Sequence, residues 1–214
     1  MLRVLCLLIG YVFGLFQTSY IIGRIHHTDI RKHGSGNAGT TNALRTFGLK
    51  AGLITLLCDL LKCVAAVLVV NLLFRTEHAE ILPLLRIYAG LGCVLGHNFP
   101  FYLGFKGGKG VAASLGFAFA MHWTAGVLAL CVFFVVFFST HYVSLGSILA
   151  YTATIIYLGV RCLNGFFGME KALRVEFCCV LVFLLAMVIF RHRENIKRLL
   201  AGNENKTYLH RKKM

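Results

Sequence analysis

Long uninterrupted apolar stretches limit the fold of this 214-residue chain more than any other feature of its sequence. A helix needs about 20 apolar residues to cross the hydrocarbon core of a bilayer. The runs here are apolar on every side, whereas strands of a membrane β-barrel alternate apolar and polar residues over about 10 positions. We therefore predict an all-α polytopic membrane protein with seven transmembrane helices. The predicted spans are residues 3–23, 53–74, 84–103, 110–121, 123–140, 142–160 and 174–191.

The composition also fits a membrane protein. Hydrophobic residues make up 58% of the chain and charged residues 14%, whereas soluble domains are about half apolar and about a quarter charged. The first apolar run continues to Ile25 without a small-residue cleavage site, which favours a first helix over a signal peptide. Since no repeat or proline-rich linker interrupts the chain, we expect one domain over residues 1–214 that ends in a basic tail, residues 191–214.

The placement of basic residues predicts the orientation of the helices, because cytoplasmic loops are enriched in lysine and arginine. The loop after the first span and the tail are both basic, so both are expected in the cytoplasm. No charged residue occurs between Lys109 and Arg161, and this interval can hold two long helices or three short ones. The first basic loop follows span one, so the basic tail lies on the same side of the membrane only if it follows an odd-numbered span. Three helices in the interval give seven spans, with the N-terminus outside and the C-terminus in the cytoplasm. We predict this arrangement, although the span at 110–121 is only about 18 Å long at about 1.5 Å per residue.

The formal net charge of +14 has two common explanations. In a soluble protein it would suggest nucleic acid, but in a membrane protein it follows from the basic cytoplasmic loops and from attraction to anionic lipid. We therefore predict membrane lipid and no nucleic acid as a partner, and the sequence indicates no particular protein partner. The eight cysteines lie mostly in apolar runs without a C-x-x-C pair, so neither a disulfide framework nor a metal site is predicted. No cofactor is predicted.

The first polar loop, "KHGSGNAGTTNALRTFG" at residues 32–48, is dense in small hydrogen-bonding residues. Gly34, Gly36 and Gly39 allow positive φ and expose successive N–H groups, and such backbone nests bind anions. Arg45 adds a planar guanidinium group suited to phosphate. The side-chain donors of the loop are Ser35, Asn37, Thr40, Thr41 and Asn42. The alternative interpretation is a flexible connector with helix caps.

A second glycine-rich segment, "GHNFPFYLGFKGGKGV" at residues 96–111, leads into a predicted helix. Its glycines surround Lys109, with Lys106 beside them, so its N–H groups and the helix dipole can face an anion. It is not the phosphate loop of ATPases, because G-x-x-x-x-G-K-[ST] requires glycine in place of Leu103 and a hydroxyl residue in place of Gly110. The alternative is a tight turn with an interfacial lysine.

Two further polar segments are predicted on the same face of the membrane. The sequence "RHRENIKRLLAGNE" at residues 191–204 places His192 and Asn195 at i and i+3, which is one face of a helix. The alternative is an ordinary polar helix end. The sequence "THYVSLGS" at residues 140–147 lies beside it.

The second span contains Asp59 and Lys62, again at i and i+3. Charges at this depth are costly and usually paired. The pair either orients a site or holds helices together. His97 in the third span is interpreted as a packed interfacial histidine.

At these spacings the segments resemble the bacterial integral-membrane glycerol-3-phosphate acyltransferases that use acyl-phosphate as donor. The resemblance covers essentially the whole chain. The matching residues are 34–48, 96–112, 142–147, 191–204, Asp59 and Lys62. The resemblance implies transfer of a fatty acyl group to glycerol 3-phosphate in phospholipid biosynthesis, giving lysophosphatidic acid and phosphate. It also implies a multi-pass protein of the cell inner or plasma membrane with a cytoplasmic active site, and a donor other than a coenzyme A thioester or acyl carrier protein. His141 departs from the pattern, because the family often has arginine there.

The resemblance also implies roles for particular residues. The residues expected to hold glycerol 3-phosphate and orient its hydroxyl group are Ser35, Arg45, Lys109, His192 and Asn195. The other substrate-binding residues are expected to be Gly36, Asn37, Thr41, Asn42, Lys106, Gly107, Gly108, Ser144 and Ser147. Acyl-phosphate is a mixed anhydride with a good leaving group, so positioning and charge neutralisation suffice without a covalent intermediate. The general base is either His192 or a phosphate oxygen of a substrate.

Two other functions explain part of the sequence. A transporter for a phosphorylated metabolite would use the anion-binding loops, but spans four and five are almost wholly apolar and offer no polar pore. A non-enzymatic lipid-binding or assembly protein would explain the basic tail, but not two glycine-rich loops that carry lysine and arginine.

Overall fold

The computed structural model describes residues 1–207, which form ten α-helices and no strand. The end of the predicted basic tail, residues 208–214, lies outside the described residues. The helices are α1 (Leu2–Gly14), α2 (Thr18–Ile25), α3 (Thr40–Phe47), α4 (Leu49–Phe74), α5 (Leu82–Asn98), α6 (Val111–Met121), α7 (Trp123–Thr140), α8 (Val143–Leu163), α9 (Lys171–Arg191) and α10 (Arg193–Leu200).

Within residues 1–207, five stretches are long and apolar enough to cross a membrane. They are Leu2–Ile25, Leu49–Phe74, Trp123–Thr140, Val143–Leu163 and Lys171–Arg191. By contrast, α5 has 17 residues and α6 has 11, fewer than the about 20 of a typical crossing. The all-α polytopic class is confirmed, and the predicted span at 123–140 coincides with α7.

Polar contacts gather the helix ends into two groups at opposite ends of the bundle. In one group, Arg3 on α1 donates two hydrogen bonds to Glu176 on α9, at 2.5 and 2.8 Å. Tyr88 on α5 donates to the same carboxylate at 2.8 Å, and Arg86 on α5 donates to the carbonyl of Ala120 at the end of α6. The other group contains the polar segments of the sequence. The short helices α5 and α6 therefore connect the two ends.

The predicted first span is interrupted at residues 15–17, between α1 and α2. The stretch Leu2–Ile25 is long and apolar enough for one crossing, as predicted, but its helix is not continuous. The break leaves backbone carbonyls that need partners away from water. Lys62 on α4 donates to the carbonyl of Phe16 at 2.6 Å. Gln17 donates to the carbonyls of Gly14 at 3.2 Å and His97 at 3.0 Å. Lys62 and His97 lie far from the break in sequence, so the apolar run itself gives no sign of the break.

Lys62 is also the centre of a buried polar network. Its ammonium group donates to Asp59 at 2.8 Å and to Nδ1 of His97 at 2.8 Å. All three side chains are at most 7% exposed. Because an ammonium group can only donate, Nδ1 of His97 accepts and the ring proton lies on Nε2. An added Cβ on Gly108 would collide with that Nε2, so the network joins the break in the first span to the second glycine-rich segment.

The backbones of α1 and α5 are in close contact. Gly10 and Gly14 on α1 face Gly92 and Gly96 on α5. An added Cβ at any of the four would overlap with a backbone carbonyl of the opposite helix. Each pair has the G-x-x-x-G spacing that lets membrane helices approach closely. The contact was not predicted, although the spacing is visible in the sequence.

α5 ends at Asn98, whereas the predicted span continued to residue 103. Phe99 precedes Pro100, and the residue before a proline is disfavoured in a helix. A 3₁₀ turn at Phe101–Leu103 follows. The chain therefore leaves the helix early, and the rest of the glycine-rich segment is a compact loop.

Replacing Gly92 by alanine is expected to lower the melting temperature of the protein in detergent, because the methyl group overlaps the carbonyl of Leu7. Overpacking of this kind costs about 1–3 kcal/mol. Gly159→Ala is the matched control, since its Cβ would meet Leu181 at an ordinary 3.8 Å. Equal melting temperatures for the two variants would contradict the close contact.

Replacing Lys62 by methionine is expected to destabilise the protein, because the Asp59 carboxylate and the carbonyl of Phe16 lose their partner. Breaking a buried ion pair by removing one member costs about 3–5 kcal/mol, whereas replacing both members is much less harmful. Denaturant unfolding in detergent should show this loss, and Asp59→Asn/Lys62→Met should recover part of it. A double variant as unstable as the single one would argue against the ion pair as the cause.

Candidate active site

The polar segments meet at one end of the bundle, where the chain after α10 connects them. Ser144 at the start of α8 donates to Glu204 at 3.0 Å. Arg45 on α3 donates to the hydroxyl group of Thr207 at 2.6 Å. The backbone N–H of Thr207 donates to the carbonyl of His141 at 2.9 Å. Residues 201–207 therefore tie the opening loop, the segment at 140–147 and α10 into one site.

Lys109 and Asn195 form the centre of this site. Nζ of Lys109 donates to Oδ1 of Asn195, and Nδ2 of Asn195 donates to Glu204 at 2.7 Å. Burial, together with the charges of neighbouring arginines, lowers the pKa of Lys109 to about 8 against the opposing effect of the Glu204 charge. The lysine is therefore mostly charged at neutral pH and can neutralise an anion.

His192 is 2% exposed and directly follows α9. Its Nδ1–H donates to the carbonyl of Val188 at 2.9 Å, which leaves the lone pair of the ring on Nε2. Burial lowers the pKa of His192 to about 4, and the positive charge of Lys109 acts in the same direction. The ring is therefore neutral at pH 7 and can accept a proton or a hydrogen bond at Nε2.

Asn42, which is 1% exposed, determines the shape of the opening loop. Its Oδ1 accepts a hydrogen bond from the backbone N–H of Ser35 at 2.9 Å. Its Nδ2 donates to the carbonyls of Ile30 and His33 at 3.1 and 3.0 Å. The amide group of Asn42 is thus used within the loop, while Ser35 is exposed at its surface.

Two features of the opening loop differ from the prediction. Gly34 and Gly36 have positive φ angles of 58° and 70° as expected, but Gly39 is extended with a φ of −154°. Gly39 instead precedes α3, a helix that the glycine-rich composition did not predict. Because Arg45 lies on this helix, its backbone is held in place as it would not be on a flexible connector.

The second glycine-rich segment is closed by its own hydrogen bonds. The N–H groups of Gly107 and Gly108 donate to the carbonyls of Asn98 at 3.2 Å and His97 at 3.1 Å. Arg191 donates to the carbonyls of the same two glycines at 3.1 and 2.5 Å. Two N–H groups expected to face an anion are therefore used within the protein, and the lysine side chains of the segment carry its positive charge.

A polar cleft opens between the opening loop and the second glycine-rich segment. Its lining residues are Asp29, Arg31, Gly36, Leu103, Gly104 and Lys106. Arg31, which the sequence analysis missed, is held by Asp29 at 2.7 Å and by the carbonyl of Leu103 at 2.9 Å. The cleft combines an exposed lysine with the positive-φ Gly36, and it is a second place where an anion can bind.

Three further predicted residues lie on the opening loop and near the start of α8. Asn37 and Thr41 are partly buried in the opening loop. The hydroxyl group of Ser147 donates to a carbonyl of its own helix at 2.7 Å. Glu204 and Thr207 were not predicted to take part. An acidic residue within a basic tail is the signal that could have drawn attention to Glu204.

The sequence matches a family model described as glycerol-3-phosphate acyltransferase over residues 4–202. A glycerol-3-phosphate acyltransferase of Clostridioides difficile (strain 630) is 46% identical over 200 residues, which is 92% of each chain. The protein of the same name from Alkaliphilus metalliredigens (strain QYMF) is 40% identical over 208 residues, which is 96% of each chain.

Two solved structures share the fold along nearly the whole chain. Both are crystal structures of PlsY (YgiH), an integral membrane glycerol 3-phosphate acyltransferase. The glycerol 3-phosphate form has a TM-score of 0.82 and 32% sequence identity, and covers 96% of each chain. The lysophosphatidic acid form has a TM-score of 0.79 at 32% identity, covering 96% of this chain and 95% of the other.

Replacing Asn42 by alanine is expected to loosen the opening loop, because the N–H of Ser35 and two carbonyl groups lose their partner. Leaving a buried polar group unpaired costs about 1–3 kcal/mol, so amide hydrogen exchange in the loop should speed up about tenfold or more. Asn164→Ala, at the exposed end of α8, is the control. Unchanged exchange in Asn42→Ala would contradict the anchoring role.

Proposed function

The chain belongs to the glycerol-3-phosphate acyltransferase family, and on this premise we propose that it transfers a fatty acyl group from acyl-phosphate to glycerol 3-phosphate. The products are lysophosphatidic acid and phosphate, and the reaction serves phospholipid synthesis. The observation that carries the proposal is the contact of Lys109 with Asn195 beside the buried, neutral His192. This contact combines an anion-binding charge with a base.

The phosphate of the acceptor is assigned to the group around Arg45, Lys109 and Asn195, with the exposed Ser35 at its edge. The guanidinium group of Arg45 donates to the hydroxyl group of Thr207. A phosphate oxygen is a stronger acceptor than a neutral hydroxyl group, so it can take over this hydrogen bond. Nε2 of His192 then orients the glycerol hydroxyl group.

The headgroup of the donor is assigned to the polar cleft, which Gly36 of the opening loop and Lys106 of the second glycine-rich segment both line. Asn37 and Thr41 supply further donors. The aliphatic tail lies among the helices, where each buried methylene contributes about 0.8 kcal/mol. The other predicted residues act mainly through the shape of the loops. They are Asn42, Gly107, Gly108, Ser144 and Ser147.

The reaction needs no covalent enzyme intermediate. The hydroxyl oxygen of glycerol 3-phosphate bonds to the acyl carbon, the bond from that carbon to the phosphate oxygen breaks, and phosphate leaves with the electron pair. The hydroxyl proton passes to Nε2 of His192 or to a phosphate oxygen of a substrate. The low pKa of His192 keeps Nε2 unprotonated at neutral pH but also makes it a weak base. A phosphate oxygen, with a second pKa of about 6, is the stronger base. Lys109 and Arg45 offset the phosphate charge.

The membrane arrangement completes the proposal. Seven crossings, with the N-terminus outside, put the site and the basic C-terminal tail on the cytoplasmic side of the cell inner membrane. This count includes the short α5 and α6. The contact of Arg86 with the far end of α6, opposite the site, supports their inclusion. The whole chain acts as one domain, and anionic membrane lipid is its expected lipid partner.

The decisive experiment gives the purified protein glycerol 3-phosphate with one of three donors: acyl-phosphate, acyl-coenzyme A or acyl-acyl carrier protein. Release of phosphate and formation of lysophosphatidic acid are expected with acyl-phosphate alone. Product from either thioester would overturn the donor assignment. In proteoliposomes, movement of labelled glycerol 3-phosphate without product would favour a transporter.

Replacing Arg45 by alanine is expected to raise the KM for glycerol 3-phosphate about tenfold or more, or to abolish turnover, because one charge-assisted hydrogen bond to phosphate contributes about 1.5–3 kcal/mol. Ser35→Ala is expected to be severely impaired as well. Arg24→Ala, exposed at the end of α2, is the control for loss of one positive charge. Kinetics of Arg45→Ala equal to those of the control would remove Arg45 from the site.

The rate at saturating substrate is expected to fall at both extremes of pH. His192 becomes protonated as the pH falls towards its pKa of about 4, and Lys109 loses its charge as the pH rises through its pKa of about 8. Phosphate groups of the substrates also titrate, with a second pKa of about 6. The pH–rate profile of His192→Gln separates the histidine from the substrate phosphates. Only the part of the acid-side fall in rate that is caused by His192 should disappear in this variant. An identical acid limb in this variant would exclude His192 as the base.

A further inference from the structure

Glu204 is a carboxylate buried in a basic environment. Its side chain is 5% exposed. One oxygen accepts hydrogen bonds from Asn195 at 2.7 Å and Ser144 at 3.0 Å, and the other accepts from Arg198 at 2.7 Å. Burial alone would raise the pKa of Glu204, but these hydrogen bonds outweigh it and keep the pKa below its usual range. Glu204 is therefore ionised at neutral pH.

Asn195 lies between two groups of opposite hydrogen-bonding character. The ammonium group of Lys109 can only donate, and the ionised carboxylate of Glu204 can only accept. Oδ1 of Asn195 must therefore face Lys109, and its Nδ2 must face Glu204, as the structure has them. An amide group on its own has two nearly equivalent orientations, and these two charges select one of them.

We propose that Glu204 is a positioning residue for acyl transfer, which fixes the amide group of Asn195 and thereby holds Lys109 in place at the phosphate site. The proposal rests on the proposed function, because it assigns Glu204 to the same site. Glu204 itself touches no substrate. It acts through Asn195 and through its negative charge near Lys109.

The charge of Glu204 matters because the other groups around Lys109 are basic. The charged or titratable groups near Lys109 are Glu204, Arg198, Arg191, Arg45 and His192. Glu204 raises the pKa of Lys109, and the three arginines lower it. Removing the negative charge would therefore make Lys109 lose its proton at a lower pH.

The same segment is attached to the site at a second point. Thr207 accepts a hydrogen bond from Arg45 and donates its backbone N–H to the carbonyl of His141. Glu204 is thus held by the chain on both sides, from α10 and from Thr207. A residue held in this way can fix the position of Asn195 with little freedom of its own.

The test compares Glu204→Gln and Glu204→Asp with Glu194→Gln, an exposed carboxylate on α10 that pairs with Lys197 on the surface. Each variant is assayed with acyl-phosphate and glycerol 3-phosphate from pH 5 to pH 9, about the range over which the rate should change. Its melting temperature is measured in detergent.

In Glu204→Gln, kcat/KM is expected to fall about tenfold at pH 7. The alkaline limb of the pH–rate profile, where Lys109 loses its proton, should move about one pH unit lower, and one unit in pKa is about tenfold in equilibrium. Part of the loss should be recovered at lower pH, where Lys109 regains its proton. Glu204→Asp keeps the charge but draws the carboxylate back. It should therefore keep the alkaline limb of the wild type and lose kcat. Glu194→Gln should match the wild type.

A purely structural salt bridge with Arg198 would give a different result. In that case Glu204→Gln/Arg198→Gln would regain the activity lost in the single variant, whereas the proposal expects no recovery. A wild-type pH profile and kcat in folded Glu204→Gln would overturn the proposal. Failure of both Glu204 variants to fold would also overturn it, because Glu204 would then act in folding. An inactive wild-type protein would instead refute the proposed function.

Discussion

The structure depends on how Lys62 and Gln17 satisfy backbone carbonyls inside an apolar bundle. The chain stops being helical between α1 and α2, and in a membrane such a break is stable only where protein groups replace water. Lys62 reaches the break from α4, and Gln17 bonds back to α1 and across to α5. Since Lys62 also holds His97 against Gly108, the break in the first span and the second glycine-rich segment both take their positions from one buried cation.

The site itself is arranged by complementary hydrogen-bonding groups more than by its glycines. The glycine-rich composition suggested a nest of N–H groups, yet Gly107 and Gly108 donate to carbonyls within their own segment. What remains for an anion is a set of side chains on short helices and loops. Their charges are partly buried, and burial strengthens electrostatic interactions at the boundary between lipid and water.

The sequence predicted the membrane class, the polar segments and the common face on which they lie. Hydropathy and charge are properties of short stretches, so they can be read without knowing the fold. Other features depend on contacts between distant residues. The break in the first span depends on Lys62, and the role of Glu204 depends on Ser144 and Asn195 meeting it. The G-x-x-x-G pairs on α1 and α5 were visible locally, but only their mutual contact gives them meaning.

The length of α6 has a consequence for the surrounding lipid. Its 11 residues extend over about 16 Å at about 1.5 Å per residue, whereas the hydrocarbon layer is about 30 Å thick. In the seven-crossing arrangement proposed above, the two ends of α6 therefore cannot both reach the surfaces of a bilayer of normal thickness. Either the lipid thins locally around this helix, or Lys109 lies at the bottom of a hydrated depression. In both cases a water-soluble molecule must descend below the level of the surrounding headgroups, while an amphiphile already dissolved in the bilayer meets it there.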